Sequence, residues 1–187
     1  MGIDSISVFA NQVFHEADPS KADLCSVLLA MVWCCANLLS GVLSDRIGRR
    51  PLLIGSSYLV AACLVTLGVL LQTRIAPAWV TATCIMLYCF FFMLGAGTVP
   101  YMLLAEVFNP KVQTLASMLI TEWIWLVGFV ILAVFNWLNR LIGIHATFYI
   151  FAFNALFNAT FSYFLVPETK GLSNKEIQVA LLKGRRK

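Results

Sequence analysis

Long stretches without a charged residue constrain this chain more than any other feature of its sequence. Four such runs contain no Asp, Glu, Lys or Arg, and a fifth is interrupted once, by Glu122. A helix of about 20 apolar residues spans the roughly 30 Å hydrocarbon core of a bilayer. We therefore predict an all-α, polytopic membrane protein with transmembrane helices at residues 24–44, 51–73, 78–105, 112–137 and 143–166.

Composition excludes several other classes of protein. Charged residues make up 12% of the 187 residues and the mean hydropathy is +0.86, whereas a soluble domain carries about 25% charged residues. The net charge of +4 comes from basic residues that are scattered or stand at the ends of apolar runs, so no nucleic-acid partner is predicted. The six cysteines lie inside apolar runs without a Cys-x-x-Cys pair, which is typical of packing rather than metal binding. We predict neither a metal nor another cofactor.

The basic residues are divided unequally between the two sides of the predicted bundle. Of the 13, only Lys21, Arg74 and Arg140 fall on one side, and the rest share the other. Because cytoplasmic loops carry an excess of basic residues, we predict a cytoplasmic tail at residues 167–187 and an extracytoplasmic loop at residues 15–23. We expect an integral protein of the plasma membrane with a cytoplasmic C-terminus.

The first segment is too short to cross a bilayer. Residues 1–14 have a helical pattern, but as a helix they reach only about 21 Å. We predict that they form a partial first transmembrane helix and that the chain is the later part of a longer protein. A re-entrant or surface-lying helix is the alternative.

Polar side chains recur at helical spacing within two of the apolar segments. They are Asp4, Ser7, Asn11 and His15 on the partial helix at residues 1–14, and Thr114, Ser117, Thr121, Glu122 and Trp125 on the predicted span at residues 112–137. Hydrocarbon penalises such groups unless they face a cavity or a partner helix. They therefore predict either interhelical hydrogen bonds or a solute path, and Glu122, near mid-bilayer, could also carry a proton.

One uncharged run is long enough to require an interruption. Residues 75–105 would form a straight helix of about 46 Å, which exceeds the bilayer. Gly95, Gly97 and Pro100 supply the predicted break, because Gly and Pro weaken a helix interior. Interrupted helices of this kind indicate transporter binding sites.

Three motifs carry a resemblance to the sugar porters of the major facilitator superfamily. The segment GVLSDRIGRRPLL (41–53) resembles the loop signature of that family, VPYMLLAEVF (99–108) resembles its tenth helix, and VPETKGLSNKEI (166–177) resembles its C-terminal signature. The resemblance implies a six-helix C-terminal bundle, helices seven to twelve, whose partner would be the missing N-terminal six-helix half.

The resemblance also implies a gating network at the cytoplasmic helix ends. Its members would be Asp45, Arg46, Arg49, Arg50, Glu106, Glu168 and Lys170. In the family, such residues hold the inner gate closed while the site faces outward. The alternative is that these charges only set topology and pair with lipid headgroups.

The expected function is movement of a sugar or similar polyhydroxylated solute by alternating access. The substrate residues that we predict are Asp4, Asn11, Tyr101, Glu122 and Trp125. Trp33 and Met93 stand where the family is commonly polar. A non-transporting truncated pseudo-transporter or partner subunit is the alternative, and an intramembrane enzyme using Asp4 and Glu122 is disfavoured. Facilitated and proton-coupled transport are both left open.

Overall fold

The computed structural model describes residues 3, 6, 10, 22–73, 77–108, 110–171 and 176–177. Over these residues the protein contains helices and no strand, which confirms the all-α prediction. The helices are α1 (Ala22–Ile47), α2 (Arg49–Thr73), α3 (Ala78–Phe91), α4 (Val99–Val107), α5 (Pro110–Ile142) and α6 (Ile144–Leu165), with a π-helical segment at Phe92–Ala96.

Five stretches of the described helices are long and apolar enough to span a membrane. They are Asp23–Ile47, Arg49–Thr73, Trp79–Val107, Val112–Ile142 and Ile144–Leu165. The third of them runs through α3, the π-helical segment and α4. The predicted partial helix at residues 1–14 lies almost entirely outside the described residues.

The helices continue past the ends of the apolar runs. Asp45 and Arg46 are helical, so the loop expected between the first two spans shrinks to Gly48. A charge ends an apolar run without ending a helix, because helical propensity does not require burial. Gly48 stops α1 since its φ of +107° lies in the region that favours glycine. Gly143, with φ of +82°, separates α5 from α6 in the same way.

The buried core lies where α2 meets α6 and α3. Its largest fully buried side chains include Leu64, Ile85, Tyr88 and Phe148. Small residues bring α2 and α6 together, as is common between helices in membranes. The carboxamide of Asn158 on α6 donates to Ser57 Oγ on α2 at 2.9 Å.

In contrast, α1 and α5 are mostly exposed in this chain. Leu38 on α1 is 76% exposed and Phe129 on α5 is 72% exposed. Exposed apolar surface on this scale indicates contact with lipid or with further protein. These two helices also form walls of the cavity described below.

The third span is interrupted where Gly95, Gly97 and Pro100 predict a break. The amide of Gly97 donates to Phe92 O at 2.7 Å, a step of five residues that defines the π-helical segment. Gly95 is also required by packing: a Cβ there would approach Leu52 O of α2 to 2.8 Å. Thus Gly95 both belongs to the interruption and allows close contact with the central helix.

Candidate functional site

Arg49 is the centre of a group of charged residues at one end of the bundle. Its Nη2 atom lies 2.8 Å from Glu106 Oε1 and 3.1 Å from Asp45 Oδ1, and its Nε donates to Glu106 Oε1 at 3.1 Å. The side chains of Arg49 and Glu106 are 16% and 26% exposed, whereas Asp45 is 74% exposed. The pair with Glu106 is therefore the stronger one, because water screens an exposed carboxylate.

Glu168 binds the start of helix α2 through backbone N–H groups. Its Oε1 accepts the backbone N–H of Arg49 at 3.0 Å, and its Oε2 accepts that of Arg50 at 3.3 Å. The first N–H groups of a helix lack intrahelical partners and carry a partial positive charge. A Cβ at Gly48 would lie 2.6 Å from Glu168 Oε2, so the glycine also makes room for this cap.

Thr169 completes the coordination of Glu106. Its hydroxyl donates to Glu106 Oε2 at 2.7 Å, and the residue is 2% exposed. Both oxygens of Glu106 therefore have partners, Arg49 on one and Thr169 on the other. Thr169 was not among the predicted site residues, although it stands inside the Pro-Glu-Thr-Lys-Gly motif that identifies them.

Arg50 and Lys170 connect the end of α6 and the segment after it to this region. Arg50 donates to the carbonyl oxygen of Tyr163 and lies over the Tyr163 ring at 5.5 Å from its centroid. Lys170 Nζ donates to Arg46 O at 2.6 Å. We refer to Asp45, Arg49, Glu106, Glu168 and Thr169 as the charge cluster; it connects α1, α2, α4 and the segment after α6.

A cavity of about 490 Å³ lies beside the interrupted helix. Its lining residues are Ile3, Trp33, Asn37, Phe92, Met93, Ala96, Gly97, Thr98, Pro100, Tyr101, Ile124, Trp125 and Gly128. Two predicted substrate residues, Tyr101 and Trp125, therefore share one cavity. Tyr101 stands on α4 and Trp125 on α5, and α1 contributes Trp33 and Asn37 to the same cavity. Asp4 and Asn11 lie outside the described residues.

Asn37 and Thr98 are the polar side chains of this cavity that sequence reasoning missed. Thr98 Oγ1 lies 2.8 Å from Asn37 Oδ1 and 2.6 Å from Met93 O. Asn37 Nδ2 donates to Trp33 O at 3.0 Å. The sequence did contain a signal for Asn37: it is an amide side chain inside an apolar run, one helical turn after Trp33.

Glu122 does not line the cavity. It is exposed, and it borders a separate depression on α5 with Trp123, Trp125 and Phe129. The helical pattern of the sequence puts Glu122 and Trp125 on one face of α5. Of these two residues, only Trp125 lines the cavity. The predicted roles of Glu122 in substrate binding and proton transfer therefore stay predictions, since the residue lies outside this cavity.

Comparison with known proteins is consistent with this architecture. Residues 1–181 match the family described as "Sugar (and other) transporter". The facilitated trehalose transporter Tret1 of Bombyx mori is 31% identical over 193 residues, which cover 100% of this chain and 38% of that protein. The chain therefore spans well under half the length of this relative.

Solved structures share the fold. A double tryptophan variant of XylE, a xylose transporter of E. coli, superimposes with a TM-score of 0.86 at 24% identity. The proton:xylose symporter XylE bound to 6-bromo-6-deoxy-D-glucose gives a TM-score of 0.85 at 24% identity. Each alignment covers 95% of this chain and 39% of the solved chain.

Proposed function

Because this chain belongs to the sugar (and other) transporter family of the major facilitator superfamily, we propose that it forms one bundle of a sugar carrier that operates by alternating access. The observation that carries the proposal is the cavity beside the interrupted helix. Its aromatic rings can cover the apolar face of a sugar ring, and its amide and hydroxyl can bind sugar hydroxyls. The silkworm relative is named a trehalose transporter and the solved relative a xylose symporter, which supports a sugar as the solute.

Helix α4 connects the cavity with the charge cluster. Tyr101 faces the cavity and Glu106 pairs with Arg49, and both residues stand on this nine-residue helix. Five residues correspond to about 7.5 Å along a helix axis. We propose that a solute which displaces Tyr101 moves α4 and so loosens the bond between Glu106 and Arg49, which couples binding to the inner gate.

A second bundle completes the carrier in this proposal. Such sites lie at the interface between two structural repeats in transporters, and the exposed faces of α1 and α5 border the cavity. In this proposal the tail is cytoplasmic, as the distribution of basic residues predicts, and the charge cluster lies on the cytoplasmic side of the plasma membrane. We also propose that this bundle has six helices. They are the five spans and the partial first helix that the sequence predicts.

A non-transporting binding or partner protein is the second candidate. Trp33 and Met93 line the cavity at positions where a polar side chain is common in the family, so fewer groups are available for hydroxyls. An enzyme is not supported, because the named relatives are transporters.

Two measurements on the protein expressed from its own gene test the proposal. Binding of trehalose, D-xylose and D-glucose is followed by tryptophan fluorescence in nanodiscs, and uptake of the same radiolabelled sugars is followed in vesicles. Trp125→Phe should weaken binding and uptake. Trp123→Phe is the matched control, since Trp123 and Trp125 are both 66% exposed on α5 and only Trp125 lines the cavity. Binding without uptake would favour the partner protein. If neither binding nor uptake is detected, the carrier proposal is refuted.

A further inference from the structure

Two polar side chains from different parts of the chain meet in the cavity wall. Asn37 stands on α1, and Thr98 stands in the turn between the π-helical segment and α4. The hydroxyl of Thr98 lies 2.8 Å from Asn37 Oδ1. The contact joins α1 to the interrupted helix within the cavity wall.

The hydroxyl of Thr98 has one proton and two acceptors within reach. Asn37 Oδ1 is one of them, and Met93 O, at 2.6 Å, is the other. A hydroxyl donates a single hydrogen bond, so Thr98 can bond to only one of these atoms at a time. When the proton turns to Met93 O, Thr98 keeps a hydrogen bond and Asn37 Oδ1 becomes available to another donor.

The carboxamide of Asn37 is held in one orientation. Its nitrogen donates to Trp33 O at 3.0 Å, one turn earlier on α1. This bond uses one amide proton and leaves the second for another acceptor. Asn37 can therefore present one acceptor and one donor side by side toward the cavity.

We propose that Asn37 and Thr98 form a switchable pair that binds two adjacent hydroxyl groups of the solute. In the free state Thr98 donates to Asn37; in the bound state it donates to Met93 O, and the amide accepts from one solute hydroxyl and donates to the next. The rings of Phe92, Tyr101 and Trp125 line the same cavity and cover the apolar face of the solute. The ligand class is a cyclic polyol with a vicinal diol. This inference rests on the proposed function and adds the group of the solute that is recognised.

The first test uses the unaltered chain. Affinities of D-xylose and its 2-, 3- and 4-deoxy analogues are measured by calorimetry in nanodiscs. Loss of either hydroxyl of one adjacent pair should weaken binding roughly 10-fold or more, because an unpaired polar group is then left in the site. Equal affinities for all four compounds would overturn the inference without any variant.

The second test uses substitutions with matched controls. Asn37→Leu should remove the preference for D-xylose over the deoxy analogues, whereas Asn154→Leu, an exposed asparagine of α6 outside the cavity, should keep it. Thr98→Val should raise the affinity, about twofold if the two acceptors share the proton equally, since competition for Asn37 Oδ1 is removed. Thr83→Val removes a hydroxyl that bonds within α3, to Trp79 O, and serves as its control.

The outcomes separate this inference from the carrier proposal. If D-xylose binds and Asn37→Leu keeps the preference for it, the pair is refuted and the carrier stands. If Thr98→Val weakens binding as much as Asn37→Leu does, Thr98 contacts the solute directly and the switch is refuted. If the protein expressed from its own gene binds none of D-xylose, trehalose and D-glucose, both proposals fall.

Discussion

Glu168 caps helix α2 by accepting the backbone N–H of Arg49 at 3.0 Å, across 119 residues of sequence. The carboxylate thereby joins the segment after α6 to the start of the central helix. It satisfies N–H groups that the helix itself cannot bond. The charge cluster is therefore built around a helix end as well as around an ion pair.

The first prediction concerns this cap. Glu168→Gln keeps an acceptor but loses the negative charge, so the free energy of unfolding should fall by about 1 kcal/mol, the usual contribution of a charge at a helix N-terminus. Thermal unfolding in detergent measures the change. Asp45→Asn is the control, because Asp45 is 74% exposed and its pair contributes little. If the two substitutions lower the free energy of unfolding equally, the Glu168 cap contributes no more stability than the exposed Asp45 pair, and the prediction is wrong.

The second prediction concerns the inner gate. Glu106→Gln weakens the bond to Arg49 by roughly 2 kcal/mol, typical of a hydrogen bond to a charged group. We expect the gate to open more often toward the cluster side and net uptake to slow while surface expression is kept. Alkylation of Met93→Cys, introduced into a variant with the six native cysteines replaced by serine, reports access to the cavity from that side. Unchanged alkylation and uptake would leave the cluster as a topology signal only.

The third prediction concerns the contact of Gly95 with α2. Gly95→Ala places a Cβ 2.8 Å from Leu52 O, and a backbone atom cannot move aside as a flexible side chain would. The free energy of unfolding should therefore fall by roughly 1–3 kcal/mol, as it does at other overpacked sites. Gly55→Ala on α2 is the matched control, since nothing lies within 4 Å of its new Cβ and Ala favours a helix. A stable Gly95→Ala protein would contradict the close packing of these two elements.

The fourth prediction concerns Glu122. Because it is exposed and does not line the cavity, Glu122→Gln should leave uptake within about twofold of normal, below the effect of a lost charged hydrogen bond. Uptake is compared across pH, with and without a protonophore, in the protein and the variant. Accumulation that the protonophore abolishes and that Glu122→Gln also loses would instead assign proton coupling to this residue.

The membrane fold could be predicted from sequence because hydrophobic length has one dominant explanation in a bilayer. The interruption near Gly95 was predictable for the same reason, since a run that exceeds the bilayer must bend. The positions of helix ends were less predictable. Asp45 and Arg46 look like a loop in a hydropathy pattern, yet only the left-handed backbone of Gly48 actually ends α1.

The site was only partly predictable because its contacts join distant residues. Tyr101 and Trp125 follow from motif and helical stripe, and the structure brings them to one cavity. The bond of Thr98 to Asn37 crosses 61 residues, and no local pattern specifies which hydroxyl meets which amide. The exposure of Glu122 depends on how α5 rotates against its neighbours, which periodicity alone does not fix.

The π-helical segment at Phe92–Ala96 also sets the register of everything that follows it. Each residue advances an α-helix by about 100°, so a segment with one residue more than an α-helical turn rotates α4 by that angle relative to α3. Removing a single residue there would turn Tyr101 away from the cavity and Glu106 away from Arg49 in the same step. The extra residue thus fixes the rotation of α4 relative to α3. A one-residue deletion at this point should therefore reduce uptake far more than most substitutions on either helix.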